Sequence, residues 1–188
     1  DAVVAFRAAL QRRPDYPVAA DNLLYLLNLI PGLDPWEVAA EHQRVCSHLN
    51  HLARPPRTDP RRGLDRVLRI GYVSRDFRAH AVNYFFEPVL AHHDHQRFRI
   101  YCYSDVESPD AVTARLKSLA DQWRDIAGWS DHRLDQQVRA DRVDILVDLG
   151  GHTEKNRLML FARKPAPLQI SWLGYTNTTG LAAMDDRN

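Results

Sequence analysis

Val67-Leu-Arg-Ile-Gly-Tyr-Val-Ser-Arg-Asp-Phe-Arg-Ala-His80 decides the fold, because an apolar run ends there abruptly in polar residues. Val67, Leu68, Ile70, Tyr72 and Val73 are β-branched, aromatic or aliphatic, which suits a strand covered on both faces. The stretch reads as strand, turn and helix start. Asp76 and His80 follow the strand directly, and in an open parallel sheet ligands bind beyond the carboxyl ends of the strands. An acid and an imidazole at that place are the first candidates for chemistry.

Downstream the same alternation continues. A helix is expected over 81–90, then strands at 98–103, 123–126, 143–149 and 168–173, with helices at 109–119, after Ser130 and at 154–163. Such a βαβ series predicts an α/β fold, a parallel Rossmann-like sheet with right-handed crossovers and helices on both faces. Two more strand ends carry unusual residues, Asp148-Leu-Gly-Gly-His-Thr153 and Gly174-Tyr-Thr-Asn-Thr-Thr-Gly180. Gly150 and Gly151 allow close backbone approach, and Thr153 is placed to cap the next helix, whose start would favour an anionic or polar ligand group. The plainer alternative is a tight turn with a capping threonine. Tyr175, Asn177, Thr178 and Thr179 add hydroxyls and an amide suited to sugar or peptide hydrogen bonding.

Upstream the chain is helical. Ala2, Phe6, Ala9 and Pro14 have the spacing of the second helix of a tetratricopeptide repeat, and Ala20, Leu23, Leu24 and Leu27 stand where the next repeat would put its packing residues. An ordinary amphipathic helix pair is the alternative. Asp34-Pro35 restarts a helix after Pro31-Gly32, with an N-cap acid and a proline at the first turn. Its stripe is Val38, Val45, Cys46, Leu49 and Leu52. His42, His48 and His51 share that helix without cysteine or carboxylate partners at ligand spacing, so they read as surface or interface histidines and not as a zinc site. His92-His-Asp-His95 likewise reads as a solvated helix end. Residues 53–65, with three prolines and four arginines, read as a linker between a helical segment at 1–52 and an α/β lobe at 66–188.

Composition narrows the function. The 188 residues are 45% hydrophobic, enough for a core, and a net charge of +1 gives no electrostatic footprint for nucleic acid or an anionic membrane. The longest apolar run, Leu23 to Ile30, is far short of the roughly 20 residues that span a bilayer. Cys46 and Cys102 read as buried reduced thiols, which suits the cytoplasm. Neither G-x-G-x-x-G nor G-x-x-x-x-G-K-[ST] occurs, and a receiver-type acid cluster is missing, so dinucleotide, P-loop and phospho-receiver readings lose their support.

Taken together, Arg69-Ile-Gly-Tyr-Val-Ser-x-Asp-Phe-x-x-His80, Asp144-Ile-Leu-Val-Asp-Leu-x-Gly-His-Thr153, Arg163-Lys-Pro-Ala-Pro-Leu-Gln-Ile-Ser-Trp-Leu-Gly-Tyr175 and Asn177-Thr-Thr-Gly-Leu181 resemble the O-linked N-acetylglucosamine transferase family, including its SPINDLY branch. The resemblance covers essentially the whole chain. It implies the last tetratricopeptide repeats and the first lobe of a two-lobed GT-B glycosyltransferase, with the second lobe outside this fragment. It further implies inverting, metal-independent sugar transfer from a nucleotide donor to Ser or Thr of acceptor proteins lying along the repeats, with no cofactor. UDP-N-acetylglucosamine and GDP-fucose are both candidate donors. His80, accompanied by Asp76, is implied at the donor–acceptor junction as a general base or an acceptor-positioning group. Ala81 and Thr176 stand where the family usually has proline, and the final Met184-Asp-Asp-Arg-Asn188 departs from its M-D-Y-R pattern. The reading from another class is a helical-repeat interaction module with a non-catalytic α/β lobe.

Overall fold

A computed structural model describes residues 2–54 and 66–185 of the chain. Most of the expected linker, residues 55–65, and the departing end at 186–188 lie outside the described residues. Five parallel strands form one sheet in the order β3-β2-β1-β4-β5. They are β1 (Leu68–Ser74), β2 (Phe98–Ser104), β3 (Gln122–Asp125), β4 (Ile145–Asp148) and β5 (Leu168–Ser171). The chain starts in the middle of the sheet, winds out through β2 and β3, and crosses back to β4. The point where the order reverses therefore falls between β1 and β4, whose paired residues run from Ile70 and Ile145 to Val73 and Asp148. The α/β expectation and the parallel sheet hold.

Alternation along the strands divides the core. Ile70, Tyr72, Ile100, Cys102 and Val147 face α4 (Asn83–Ala91) and α5 (Ala111–Leu119) through Phe86, Leu90 and Leu116. Val73, Tyr101, Tyr103 and Leu146 face the other way, with Leu134 and Val138 of α6 (Asp131–Asp141) and Phe161 of α7 (Leu158–Ala162). That second cluster does not stop at the lobe. It continues into Leu23, Leu24 and Leu27 of α2 (Pro17–Leu27) and Val38, Val45 and Cys46 of α3 (Pro35–Cys46), with Phe6 and Leu10 of α1 (Ala2–Arg12) packed on its rim. The helical segment and one face of the sheet thus share a single apolar core, and burial of that area is the main force holding them together.

Local signals set the helix starts. The Asp34 carboxylate accepts the Trp36 N–H, with Pro35 in the first turn. Asp110 and Thr113 form a reciprocal capping box, and Ser130 accepts the Arg133 N–H. The helix begun at Asp34 is α-helical only to Cys46, and its expected continuation with His48, Leu49, His51 and Leu52 is a 3-10 helix, Ser47–Leu52. A second helix departs further. The segment foreseen as 154–163 is helical only from Leu158, because Lys155 takes a left-handed φ of 55° and Asn156 accepts the Leu158 N–H while donating to Thr153 and Asp21. Thr153 therefore caps no helix, and the anion-favouring helix start foreseen behind it is absent. No described helix is long and apolar enough to cross a membrane.

Candidate active site

The loop after β1 is fixed from several sides. Ser74 Oγ accepts the Asp76 N–H at 2.9 Å, and the Asn83 side-chain amide donates to the carbonyls of Asp76 and Arg78. Asp110 turns its second oxygen to the Ala79 N–H at 2.7 Å, so the α5 cap also holds this loop. Phe77 is wholly buried, stacked on Phe86 at 5.1 Å between ring centroids and tilted against Trp123. What remains free is the His80 ring. Its side chain is 40% exposed, its Nδ1 accepts the Val82 N–H at 3.3 Å and lies 3.9 Å from the buried Asp76 carboxylate. Nε2 is the ring nitrogen those neighbours leave unengaged. The ring stands at the end of a groove of about 710 Å³ between α4 and α5, lined also by Ala79, Tyr84, Glu87 and Arg115. The sequence-expected pair of Asp76 and His80 is brought together here, too far apart for a hydrogen bond and close enough for an ion pair when the ring is charged.

The ends of β4 and β5 are used differently. Asp148 is buried and accepts the N–H groups of Gly150 and Gly151 and the Ser171 hydroxyl, at 2.7–3.1 Å. Burial raises its pKa against the opposing pull of those donors. Gly151, at φ 53°, sits so close to Tyr175 that a Cβ would lie 2.2 Å from the Tyr175 Cβ. His152 is turned toward the helical segment. Its Nδ1 lies 2.7 Å from Asp21 Oδ1 and its Nε2 2.8 Å from the Thr179 carbonyl. Burial opposes its charge, but the Asp21 carboxylate and the Cys46 sulfur outweigh that and push its pKa up to about 10.

Beside it, His42 is held in the opposite state. Its Nδ1 donates to the Val38 carbonyl at 2.7 Å and its Nε2 accepts from the Tyr175 hydroxyl at 2.8 Å, and burial lowers its pKa to about 4. The Tyr175 hydroxyl in turn accepts from Asn28 Nδ2, and Asn28 Oδ1 accepts from Asn177 Nδ2. His152, Tyr175 and Asn177, expected as ligand contacts, are thus engaged with the helical segment, while Gly151, expected with them, is held by Asp148 and packed on Tyr175. Thr178 and the buried Thr179 cap their own turn toward Gly180 and Leu181. One face of this loop, with Tyr175, Asn177, Thr178 and Thr179, still lines a groove of about 440 Å³ against Pro35, Trp36 and Ala39 of α3.

Asp21, Asn28 and His42 were missed as members of this junction. A signal for His42 existed, since it falls four residues after Val38 and four before Cys46 on the apolar stripe. The three histidines after α4 separate as well. His92 and His95 are exposed, while His93 accepts or donates a 2.8 Å hydrogen bond with the Tyr72 hydroxyl under the sheet. Among the described residues no three His, Cys, Asp or Glu side chains lie grouped to hold a metal ion.

Comparison with known proteins completes the description. The profile of Glycosyl transferase family 41 matches residues 22–186. A probable UDP-N-acetylglucosamine–peptide N-acetylglucosaminyltransferase SPINDLY of Oryza sativa subsp. japonica is 41% identical over 98% of this chain, and the SPINDLY relative of Arabidopsis thaliana is 38% identical over 93%. The Arabidopsis SEC relative is 30% identical over 79%. A solved structure of a Thermobaculum terrenum O-GlcNAc transferase mutant superposes with a TM-score of 0.89 at 41% identity, covering 97% of this chain and 35% of that one. The chain spans about a fifth of the length of the curated SPINDLY relatives, 20% of each in the rice and Arabidopsis cases.

Proposed function

Because this chain belongs to glycosyl transferase family 41, we propose that it is the first lobe and adjoining helices of a protein O-glycosyltransferase. The full-length protein would move a sugar from a nucleotide donor to Ser or Thr hydroxyls of acceptor proteins. The observation that carries this reading is the loop 74–80, held beyond β1 by its hydrogen bonds with the half-exposed imidazole of His80 at a groove mouth. Rigid placement of an ionisable group beside a reacting hydroxyl is what a transferase needs from its scaffold.

In this arrangement Asp76 is a positioning residue. The Val82 N–H on Nδ1 favours the tautomer with the proton on Nε2, which would donate a hydrogen bond to an acceptor or sugar oxygen. If Nδ1 instead takes the proton and turns it to Asp76, Nε2 becomes the base that receives the hydroxyl proton. Transfer needs no metal in either case. The names of the relatives support UDP-N-acetylglucosamine as donor, and the SPINDLY likeness keeps GDP-fucose as the competing donor. The helices before β1 end a tetratricopeptide array that guides the acceptor, and the two buried free thiols suit the cytoplasm. Incubating full-length protein with each labelled donor, a protein acceptor and a chelator tests the whole reading. Chelator-resistant labelling of Ser or Thr by one donor is the expected result, and no labelling from either donor would overturn it.

A further inference from the structure

We propose that His152 is a positioning residue, a buried imidazolium that through Asp21 fastens the loop after β5 to the second helix, so that the helical segment sets the geometry of residues 175–180. The proposal rests on the transferase reading only for its consequence in catalysis, and on hydrogen-bond chemistry for the lock itself.

The nearest partner of each His152 ring nitrogen is an oxygen that can only accept, and the Cys46 sulfur stands farther off, 3.9 Å from Nε2. Asp21 Oδ1 lies 2.7 Å from Nδ1 and the Thr179 carbonyl oxygen 2.8 Å from Nε2. A neutral imidazole carries one N–H and can satisfy one of them, whereas the imidazolium carries two and satisfies both. The ring is therefore charged, and with its side chain 3% exposed the charge has its counter-ion in Asp21. A buried cation without a partner is strongly disfavoured, so the ring keeps its second proton only while helix α2 is docked.

Asp21 does more than neutralise. Its other oxygen accepts from Asn156 Nδ2 at 2.9 Å, so one carboxylate on the helical segment holds both the loop after β4 and, across the His152 ring, the backbone of the loop after β5. Gly180 is seated directly on α3, where a Cβ would come 2.3 Å from the His42 carbonyl oxygen. His42, 5.6 Å away between ring centroids, must stay neutral to accept from Tyr175, which spares the junction a second buried cation. When Asp21 is removed, the ring must shed a proton and release Thr179 or turn from it. The loop that lines the groove beside Trp36 then loses its anchor.

The test is Asp21→Asn in full-length protein, with Asp21→Glu as the carboxylate-retaining control. In wild type labelled with 15N-histidine, the His152 signal, assigned with His152→Gln, should report two protonated ring nitrogens at neutral pH. Asp21→Asn should convert it to a neutral ring and raise amide exchange in the peptide covering 175–181 by about tenfold or more, while Asp21→Glu stays near wild type. In transfer assays the KM for a protein acceptor should rise by about fivefold or more with the donor KM unchanged, a split that general destabilisation does not produce. A singly protonated His152 ring in wild type, or wild-type exchange in Asp21→Asn, would overturn the lock. A released loop with unchanged acceptor KM would overturn the positioning role. Absence of transfer by wild type itself would fall on the transferase reading, with the ring spectrum and exchange still deciding the lock.

Discussion

Two of the histidine–aspartate pairs, one at the end of β1 and one at the end of β4, contrast in spacing and burial, while His95 and Asp121 pair at the surface. At the end of β1 the His80 ring is 40% exposed and stands 3.9 Å from Asp76, whereas at the end of β4 the His152 ring is 3% exposed and stands 2.7 Å from Asp21. Looseness and water leave His80 a ring nitrogen that these neighbours do not engage, as the proposed role beside a reacting hydroxyl requires. Tightness and burial consume both nitrogens of His152. The pair of residue types does not decide between chemistry and assembly; separation and dielectric do.

The sharpest way to break that contrast is His80→Ala in the full-length enzyme. Transfer should fall by about a hundredfold or more while the melting temperature stays close to wild type, and a destabilised variant with near-normal turnover would reduce His80 to a turn-capping residue. The pH dependence of melting separates the pairs next. His152 is raised from 6.5 to about 10 in the fold, so its stabilisation is complete below pH 6.5 and is lost as pH rises toward 10. His42 is lowered from 6.5 to about 4, so its contribution is complete above pH 6.5 and is lost as pH falls toward 4. Melting should therefore be highest near pH 6.5, with an alkaline limb on the order of a few kcal/mol that Asp21→Asn flattens. A flat profile in wild type would contradict the assigned charge states. Gly180→Ala should cost on the order of 1–3 kcal/mol, read by denaturant unfolding, because the new methyl meets the His42 carbonyl and φ is 72°. Smallest of all, Ser130→Ala removes only the α6 cap and should cost about 1 kcal/mol with transfer rate unaltered.

Much of the fold was legible because its signals are local. Apolar runs located all five strands, and Asp34 and Ser130 marked helix starts through caps that span two or three residues, whereas the Asp110 cap came to light only in the structure. The motifs around Asp76, Gly151 and Tyr175 also carried the family resemblance, which the family match bears out. What stayed hidden depends on partners far along the chain. His152 meets Asp21 across 131 positions and Asn177 meets Asn28 across 149, so no periodicity could say that these strand-end residues turn toward the helices. Asn156 hid the true start of the last helix for the same reason, since its amide is drawn to Asp21. Asp76 and His80, four positions apart on one turn, needed no such distant information.

Both cysteines are sealed, Cys102 at 0% and Cys46 at 3% exposure, with burial pushing the Cys102 thiol up. Thiolate is the species that alkylating and spin-labelling reagents attack, and it must be reached to be attacked. Trp36 on α3 and Tyr84 on α4 are each 83% exposed, one on the helical segment and one on the lobe. Trp36→Cys together with Tyr84→Cys would thus give this chain two fast-reacting positions against a silent background, a ready-made ruler for the distance between the helices and the lobe and for whether their shared core keeps it fixed.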